Sequence, residues 1–333
     1  MRAVGALTAV FLCVLCVVAA SPAAAAVTLS NGYVTPTVGH TGSLFGIRVT
    51  FKDTSGTAPT TKEAWIDGVG PYGMSLKSGS IATGALYALP CYLQAGTHNF
   101  RFNFSNAHGS AHFPAVGTLE GPVVSAKYDI TDYFPLTETV SWTYHVRVDD
   151  MAQYWGHDDD PTGTMSKWLE PNTLGTLPGV TDLLCYFQSS PSGGWSKFWY
   201  EGWSKDPTGL FFYYDERTQY VGDGMRYIFL YPGSFHIPNG LYVGQTASTE
   251  HTVYNRQSGN PIGDVWCTYR VDGVETISVP YGTYSCLKLT ISETGTYWVR
   301  RIEMWLAKNV GPIQIVAVEK GTTRVERLVS YTP

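Results

Sequence analysis

The chain carries little charge, few cysteines and little that reads as helix. Lys, Arg, Asp and Glu make up only 15% of the 333 residues, and the balance is slightly acidic, with net charge -5 at pH 7. A nucleic-acid partner would demand a basic stripe to neutralise its phosphates, and no such stripe is present. Beyond the first 26 residues no apolar run is long enough to span a bilayer as a helix, so no transmembrane segment is expected after the leader is removed. Thirty-five glycines and nineteen prolines break helices and build turns. Familiar catalytic signatures are missing as well: there is no Gly-x-Ser-x-Gly elbow, no His-Glu-x-x-His and no glycine-rich phosphate loop before a helix. Triads and carboxylate pairs assemble in space without local spacing, so this weighs against an enzyme without excluding one.

The N-terminus reads as a targeting segment. Arg2 supplies the positive start, Val4 to Ala20 run without charge, and Ser21-Pro22-Ala23-Ala24-Ala25-Ala26 offers small residues for cleavage. Residues 1–26 are therefore expected to be a signal peptide, with export of a mature protein that starts at Val27. Cys13 and Cys16 lie inside the apolar region, where neither makes a lipid-attachment site.

What is abundant is aromatic. Aromatics reach 14%, with 22 tyrosines, a balance that suits strands with one buried face. From Val27 to about Pro122, short runs alternate with turn signals such as Asn31-Gly32 and Asp67-Gly68, and in His98-Asn99-Phe100-Arg101-Phe102-Asn103-Phe104 the three phenylalanines fall on one side of a strand. This spacing predicts a β-sandwich over 27–124. A second unit, 129–333, opens on the alternating stretch Val140 to Val148 and continues through further strands, including Val265 to Val279, Tyr284 to Ser292 and Tyr297 to Leu306. Paired in order, these predict an antiparallel meander of about eight strands, rolled into an open barrel or packed as two layers. The fold class is all-β.

Two resemblances add to this. Leu29-Ser30-Asn31-Gly32-Tyr33-Val34-Thr35-Pro36, Ile66-Asp67-Gly68 and Leu93 to Phe102 resemble the immunoglobulin-like modules of secreted bacterial surface proteins. Relatives carry more acidic residues around Asp53, where this chain has Thr54, Ser55 and Thr57. Tyr133-Phe134-Pro135-Leu136 to Tyr144, Ile277 to Leu289 and Trp305 to Pro312 resemble a recurring secreted bacterial β-domain, which implies fold and location rather than an activity.

Three constellations carry chemistry. Trp195, Trp199, Tyr200 and Trp203, with Glu201 and Asp206 beside them, form a candidate platform for stacking a sugar ring or a greasy ligand; the alternative is that the rings fill the core of a curved sheet. Asp158, Asp160 and Thr162 alternate ahead of Gly163 as in a calcium loop, although Leu169 stands where the bidentate Glu belongs; the alternative is a solvated acidic loop. His108 and His112 have metal-pair spacing only on a helix, which this segment is not.

Four cysteines remain after processing. If Val265 to Val279 and Tyr284 to Ser292 form one hairpin, Cys286 lies opposite about Ile277 and Cys267 about ten residues further from the turn. That is about 30 Å, against a limit of about 7 Å between bridged Cα atoms. Cys267 to Cys286 is excluded, Cys91 belongs to another module, and Cys185 is the only partner left for either of the others.

The sequence thus reads as a secreted or cell-surface-associated, non-catalytic binding protein, with a carbohydrate or other cell-surface component as its expected partner. The alternatives are a polysaccharide hydrolase using Glu201 and Asp206, and a carrier of a lipid or other apolar molecule in an aromatic-lined barrel.

Overall fold

The computed structural model describes residues 27–137, 139–149, 162–171, 181–190, 196–217, 227–255, 260–295, 299–319 and 321–333. The expected signal peptide, 1–26, lies outside them. Backbone contacts divide the chain into two units, the first reaching Leu93 and taking in Thr97–Val123, the second running over Val124–Pro333.

The first unit is built from β1 (Val27–Thr35), β2 (Val38–His40), β3 (Leu44–Asp53), β4 (Thr61–Ile66), β5 (Val69–Gly73), β6 (Ser75–Ser80), β7 (Gly84–Tyr92), β8 (Gly96–Asn106), β9 (Gly109–Phe113) and β10 (Leu119–Ser125). One sheet has the order β1-β3-β7-β6; the other runs β2-β10-β8-β4-β5, with β9 also paired to β8. The period-two pattern decides which side chains meet between them. Phe100, Phe102 and Phe104 are all buried, as are Phe45, Ile47, Val49 and Phe51 on β3. Phe51 stacks on Phe104 at 5.6 Å, and Tyr87 meets Phe104 edge-on at 5.1 Å.

At the end of β3 the buried Asp53 ties the following loop down. Its carboxylate accepts from the Ser55 amide at 2.8 Å and hydroxyl at 2.6 Å, from Asn106 at 2.6 Å and from His108 Nδ1 at 2.8 Å. The His108 contact, then those of Ser55 and Asn106, outweigh burial and hold the carboxyl well below the usual aspartate range. A depressed folded-state pKa contributes stability above the unfolded value near 4, lost as the pH falls below it. An NMR titration of the Asp53 carboxyl is expected to find its midpoint far below 4, and His108→Ala to move it upward. An ordinary midpoint in the wild type would refute this.

The second unit adds β11 (Lys127–Tyr128), a single 3-10 turn over Ile130–Asp132, β12 (Ser141–Asp149), β13 (Thr162–Pro171), β14 (Thr181–Ser190), β15 (Ser196–Asp206), β16 (Gly209–Arg217), β17 (Tyr227–Pro238), β18 (Leu241–Tyr242), β19 (Thr246–Asn255), β20 (Pro261–Val279), β21 (Gly282–Gly295), β22 (Val299–Ala307), β23 (Gly311–Glu319) and β24 (Thr322–Thr332). Strands β12 to β17 and β19 to β24 close antiparallel into a twelve-stranded barrel, and β12 pairs with β24 to complete the circle. The expected meander of about eight strands is corrected here. Four of the twelve, β13 to β16, lie in the stretch where aromatic and acidic residues drew the reading toward sites rather than strands.

One end of the barrel is covered from within. Ile130 and Phe134 are buried, Thr131 donates to Asn239 at 3.2 Å, the Gly240 amide donates to Asp129 at 2.9 Å, and Lys308 pairs with Asp132 at 3.0 Å. On the outer wall, exposed positions carry His145, Arg147, Glu250, Arg270, Arg301 and Arg327. A barrel crossing a bilayer presents an apolar band there instead.

Candidate functional site

Eight strands make a barrel just wide enough for side chains to fill, and the interior widens with strand number. Twelve strands therefore leave either a flattened core or a hollow. Here the inward positions line a cavity of about 50 Å³. Its walls divide by chemistry.

Toward the covered end lie rings. Phe134 stacks on Trp203 at 5.0 Å, Trp203 meets Phe212 at 4.7 Å, and Phe134 lies 6.4 Å from Trp142. The polar edges of this group are satisfied locally. Trp142 donates its indole N–H to the Val310 carbonyl at 2.6 Å, Tyr144 donates to the Pro312 carbonyl at 2.9 Å, and Trp203 donates to Glu201 at 3.2 Å. Gly311, the first residue of β23, has φ +98°, and a Cβ there would stand 3.1 Å from the Trp142 indole nitrogen. Only glycine meets both demands.

Halfway along the barrel lies a charged group. Lys167 on β13 and Glu326 on β24 pair at 2.7 Å, both nearly inaccessible to solvent, and Arg324 reaches the same carboxylate at 2.8 Å. The Lys167 ammonium also lies 5.2 Å from the centre of the Tyr144 ring. Burial alone would raise Glu326, but the Lys167 and Arg324 charges and hydrogen bonds prevail and hold it below the usual glutamate range. Burial likewise opposes the charge on Lys167, and Glu326 overrides it to hold the lysine above its usual value. The barrel thus keeps this pair ionised. Cys185, alongside, is driven well above the ordinary thiol range by burial, so it is a poor nucleophile.

At the end opposite the covered one, Glu293 and Arg300 lie on β21 and β22 close to the hairpin that joins them, 4.0 Å apart, and both line the cavity with Arg324. The hollow therefore has an aromatic end and a charged end.

The structure distributes the residues singled out from sequence. Trp203 is only 6% exposed and forms part of the cavity wall, so it is no exposed platform. Glu201 also lines the cavity. Asp206 sits instead at the β15–β16 turn, accepting from Thr208 at 2.7 Å and 2.6 Å and from the Gly209 amide at 3.2 Å. Those turn bonds, those of Thr208 first, hold its carboxyl below the usual range. Trp195 lies outside the described residues, as do the side chains of Trp199 and Tyr200, whose backbones pair with Cys185 and Leu184. Asp158 and Asp160 also lie outside them. Thr162 opens β13 opposite Arg147, and Gly163 pairs with Val146 within the ladder, where the calcium-loop reading needs a sharp turn.

Cys91, Cys185, Cys267 and Cys286 are all free thiols, so the pairing left open for Cys185 is not formed. The β20–β21 register puts Cys286 opposite Glu275, not Ile277, and Cys267 opposite Glu293. Eight residues at about 3.3 Å each still separate Cys267 from Glu275 by roughly 26 Å, far beyond bridging range.

Sequence reading missed the inward charges. Lys167 stands between Met165 and Leu169, and Glu326 two residues before Leu328, each at a position where alternation calls for an apolar residue. A charge at an inward position is the signal that marks this site.

No protein-family model and no curated protein matches the chain. Two solved structures overlap with it. One is a Bacteroides fragilis protein assigned to export and to a YmcC-like fold, at TM-score 0.30 and 11% identity, covering 62% of this chain and 100% of its own. The other is a β-barrel-like protein from Brucella abortus, built on a domain of unknown function, at TM-score 0.33 and 12% identity, covering 59% of this chain and 98% of its own.

Proposed function

We propose that this is an exported, non-catalytic binding protein that holds a small amphipathic ligand in the lumen of its second unit. The observation that carries the reading is the two-ended cavity: rings of Phe134, Trp142, Trp203 and Phe212 at one end, Glu293, Arg300 and Arg324 at the other. Ligand sites are mostly apolar hollows with a few convergent polar groups that fix orientation, and this lumen has that composition. Binding is favoured over carbohydrate hydrolysis because Glu201 accepts the Trp203 N–H inside the barrel while Asp206 is committed to a turn. The first unit is read as an immunoglobulin-like module that serves as spacer or docking element. The β1-β3-β7-β6 order of its four-stranded sheet, with β10-β8-β4 adjacent in the other, supports that reading.

At about 50 Å³ the cavity is well below the roughly 150 Å³ that takes up benzene, so a ring ligand has to push wall side chains aside, and 1-naphthol, a fused-ring probe with one hydroxyl, tests whether it does. Calorimetry on the mature chain is expected to give a Kd on the order of 10 μM. Met304→Trp, which fills the cavity from its wall, should weaken it at least about tenfold, with the melt checked in parallel because overpacking costs about 1–3 kcal/mol. Absence of naphthol binding by the folded wild type would sink the lumen reading.

A further inference from the structure

The outer face of the four-stranded sheet of the first unit is cationic, in a chain whose net charge is -5. Alternation settles which residues stand there. Phe45, Ile47, Val49 and Phe51 of β3 are buried, so Leu44, Gly46, Arg48, Thr50 and Lys52 point outward. Ladder partners share a face, which adds Thr28, Ser30 and Tyr33 of β1 and Tyr92 of β7. Lys77 is exposed on the edge strand β6. Apart from the buried Asp53, strands β1, β3, β6 and β7 carry no carboxylate side chain. Glu63, Asp67 and Glu120, the other acidic residues of the unit, lie on the second sheet or in its β4–β5 turn.

Two rings and one arginine give this face its shape. Tyr92 is 69% exposed and Tyr33 41%. The Arg48 guanidinium lies 5.8 Å from the centre of the Tyr33 ring and donates to the Tyr33 hydroxyl at 3.3 Å. It also comes within 3.5 Å of the point where a side chain at Gly46 would begin. Glycine at 46 therefore lets the arginine lie along the sheet beside the tyrosine. Lys52 follows four residues further on the same face, about 13 Å along the strand, and the paired hydroxyls of Ser30 and Thr50 stand between the two charges.

We propose that this face docks an acidic polysaccharide, whose carboxylates meet Arg48 and Lys52 and whose sugar rings stack on Tyr33 and Tyr92. Charge complementarity selects the acid, since a face with cations and no exposed carboxylate draws in a polyanion. The rings and hydroxyls select the sugar. Tyrosine offers an apolar face with a polar edge, and the hydroxyls of Ser30 and Thr50 both donate and accept, as those of a sugar do. A guanidinium binds a carboxylate through two parallel N–H groups, which makes Arg48 the anchor and Lys52 a second point charge. This docking rests on the reading of the first unit as a docking element and is independent of the lumen.

Fluorescence anisotropy of a fluorescein-labelled oligogalacturonate, titrated with the mature chain, tests the docking, with a labelled dextran oligomer as the uncharged control. Binding is expected for the oligogalacturonate and not for dextran. Raising the salt from about 50 mM to about 500 mM should weaken it at least about tenfold, because exposed charges are screened. Lys52→Glu is expected to weaken binding at least about tenfold and Tyr92→Ala about fivefold. Both side chains are exposed, so neither change should move the melt. Lys62→Glu makes the same charge change at an exposed position of the other sheet and should leave binding within about twofold. Oligogalacturonate binding that survives Lys52→Glu or Tyr92→Ala, or that Lys62→Glu weakens as much, overturns the assignment to this face. A wild type that binds no oligogalacturonate overturns the docking altogether, and binding of phosphatidylglycerol vesicles in its place reassigns the face to a membrane. In each case 1-naphthol binding is measured separately, so the lumen reading stands or falls alone.

Discussion

Glu326→Leu is expected to destabilise the barrel by about 3–5 kcal/mol in urea unfolding of the full chain, because it leaves Lys167 a buried cation without its counter-charge. Lys167 is 5% exposed and Glu326 fully buried, so solvent screens neither. Removing both charges together is a different experiment. Lys167→Met with Glu326→Leu should recover part of the loss, since a buried ion pair exchanged for apolar groups of similar size is often neutral, while Arg324, which also reaches this carboxylate, keeps its charge. A single Glu326→Leu within about 1 kcal/mol of the wild type would mean that water reaches this carboxylate. The pH dependence has a definite sign. Glu326 is lowered on folding, so its contribution is present above the unfolded glutamate value near 4 and lost as the pH falls. Lys167 is raised, so its contribution is present below the unfolded lysine value near 10 and lost as the pH rises through the folded one. The pair stabilises fully between those limits.

The position of this pair explains why a barrel would keep it. Lys167 lies on β13 and Glu326 on β24, the two neighbours of β12, so the bridge spans the strand at which the barrel's first and last elements join. A one-residue slip of a strand turns its inward set outward. With Trp142, Tyr144 and Val146 facing in, such a slip at β12 or β13 would also expose or strand a charge. Cross-strand charges of this kind act on register as much as on stability.

The strands of the first unit were legible because their apolar residues are aliphatic or phenylalanine and alternate cleanly, as at Phe45, Ile47, Val49 and Phe51. The second unit was legible where the same held, over Val140 to Val148 and from Val265 onward. Between 162 and 217 the pattern hides itself. Trp168 on β13 is only partly buried while Lys167 is inside, so hydropathy assigns the two neighbours to the wrong faces. Buried ion pairs invert the rule on which strand reading depends. The candidate site was legible by composition alone: the aromatic density pointed to the right strands, but nothing in one strand says which rings face a hollow. That depends on barrel closure and on Phe134, which arrives from a segment about seventy residues upstream to stack on Trp203.

Trp203→Ala is expected to cost about 3–5 kcal/mol, the usual range for deleting a large buried ring, because Phe134 and Phe212 both lose the face they pack on. The prediction separates two roles for this indole that sequence left open. A ring that only recognised ligand from the surface would be removed with the melt unchanged, whereas a ring that builds the cavity wall carries the covered end of the barrel with it. Trp203→Phe refines the test. It preserves an aromatic face between Phe134 and Phe212 but withdraws the N–H that Glu201 accepts at 3.2 Å, a loss of about 1.5–3 kcal/mol for a bond to a charged group. The alanine variant should therefore unfold at clearly lower urea than the phenylalanine variant, and only the latter should still bind 1-naphthol. Equal loss in both would assign the effect to the hydrogen bond, not to the stack. An alanine variant as stable as the wild type would remove Trp203 from the core altogether and return it to the platform.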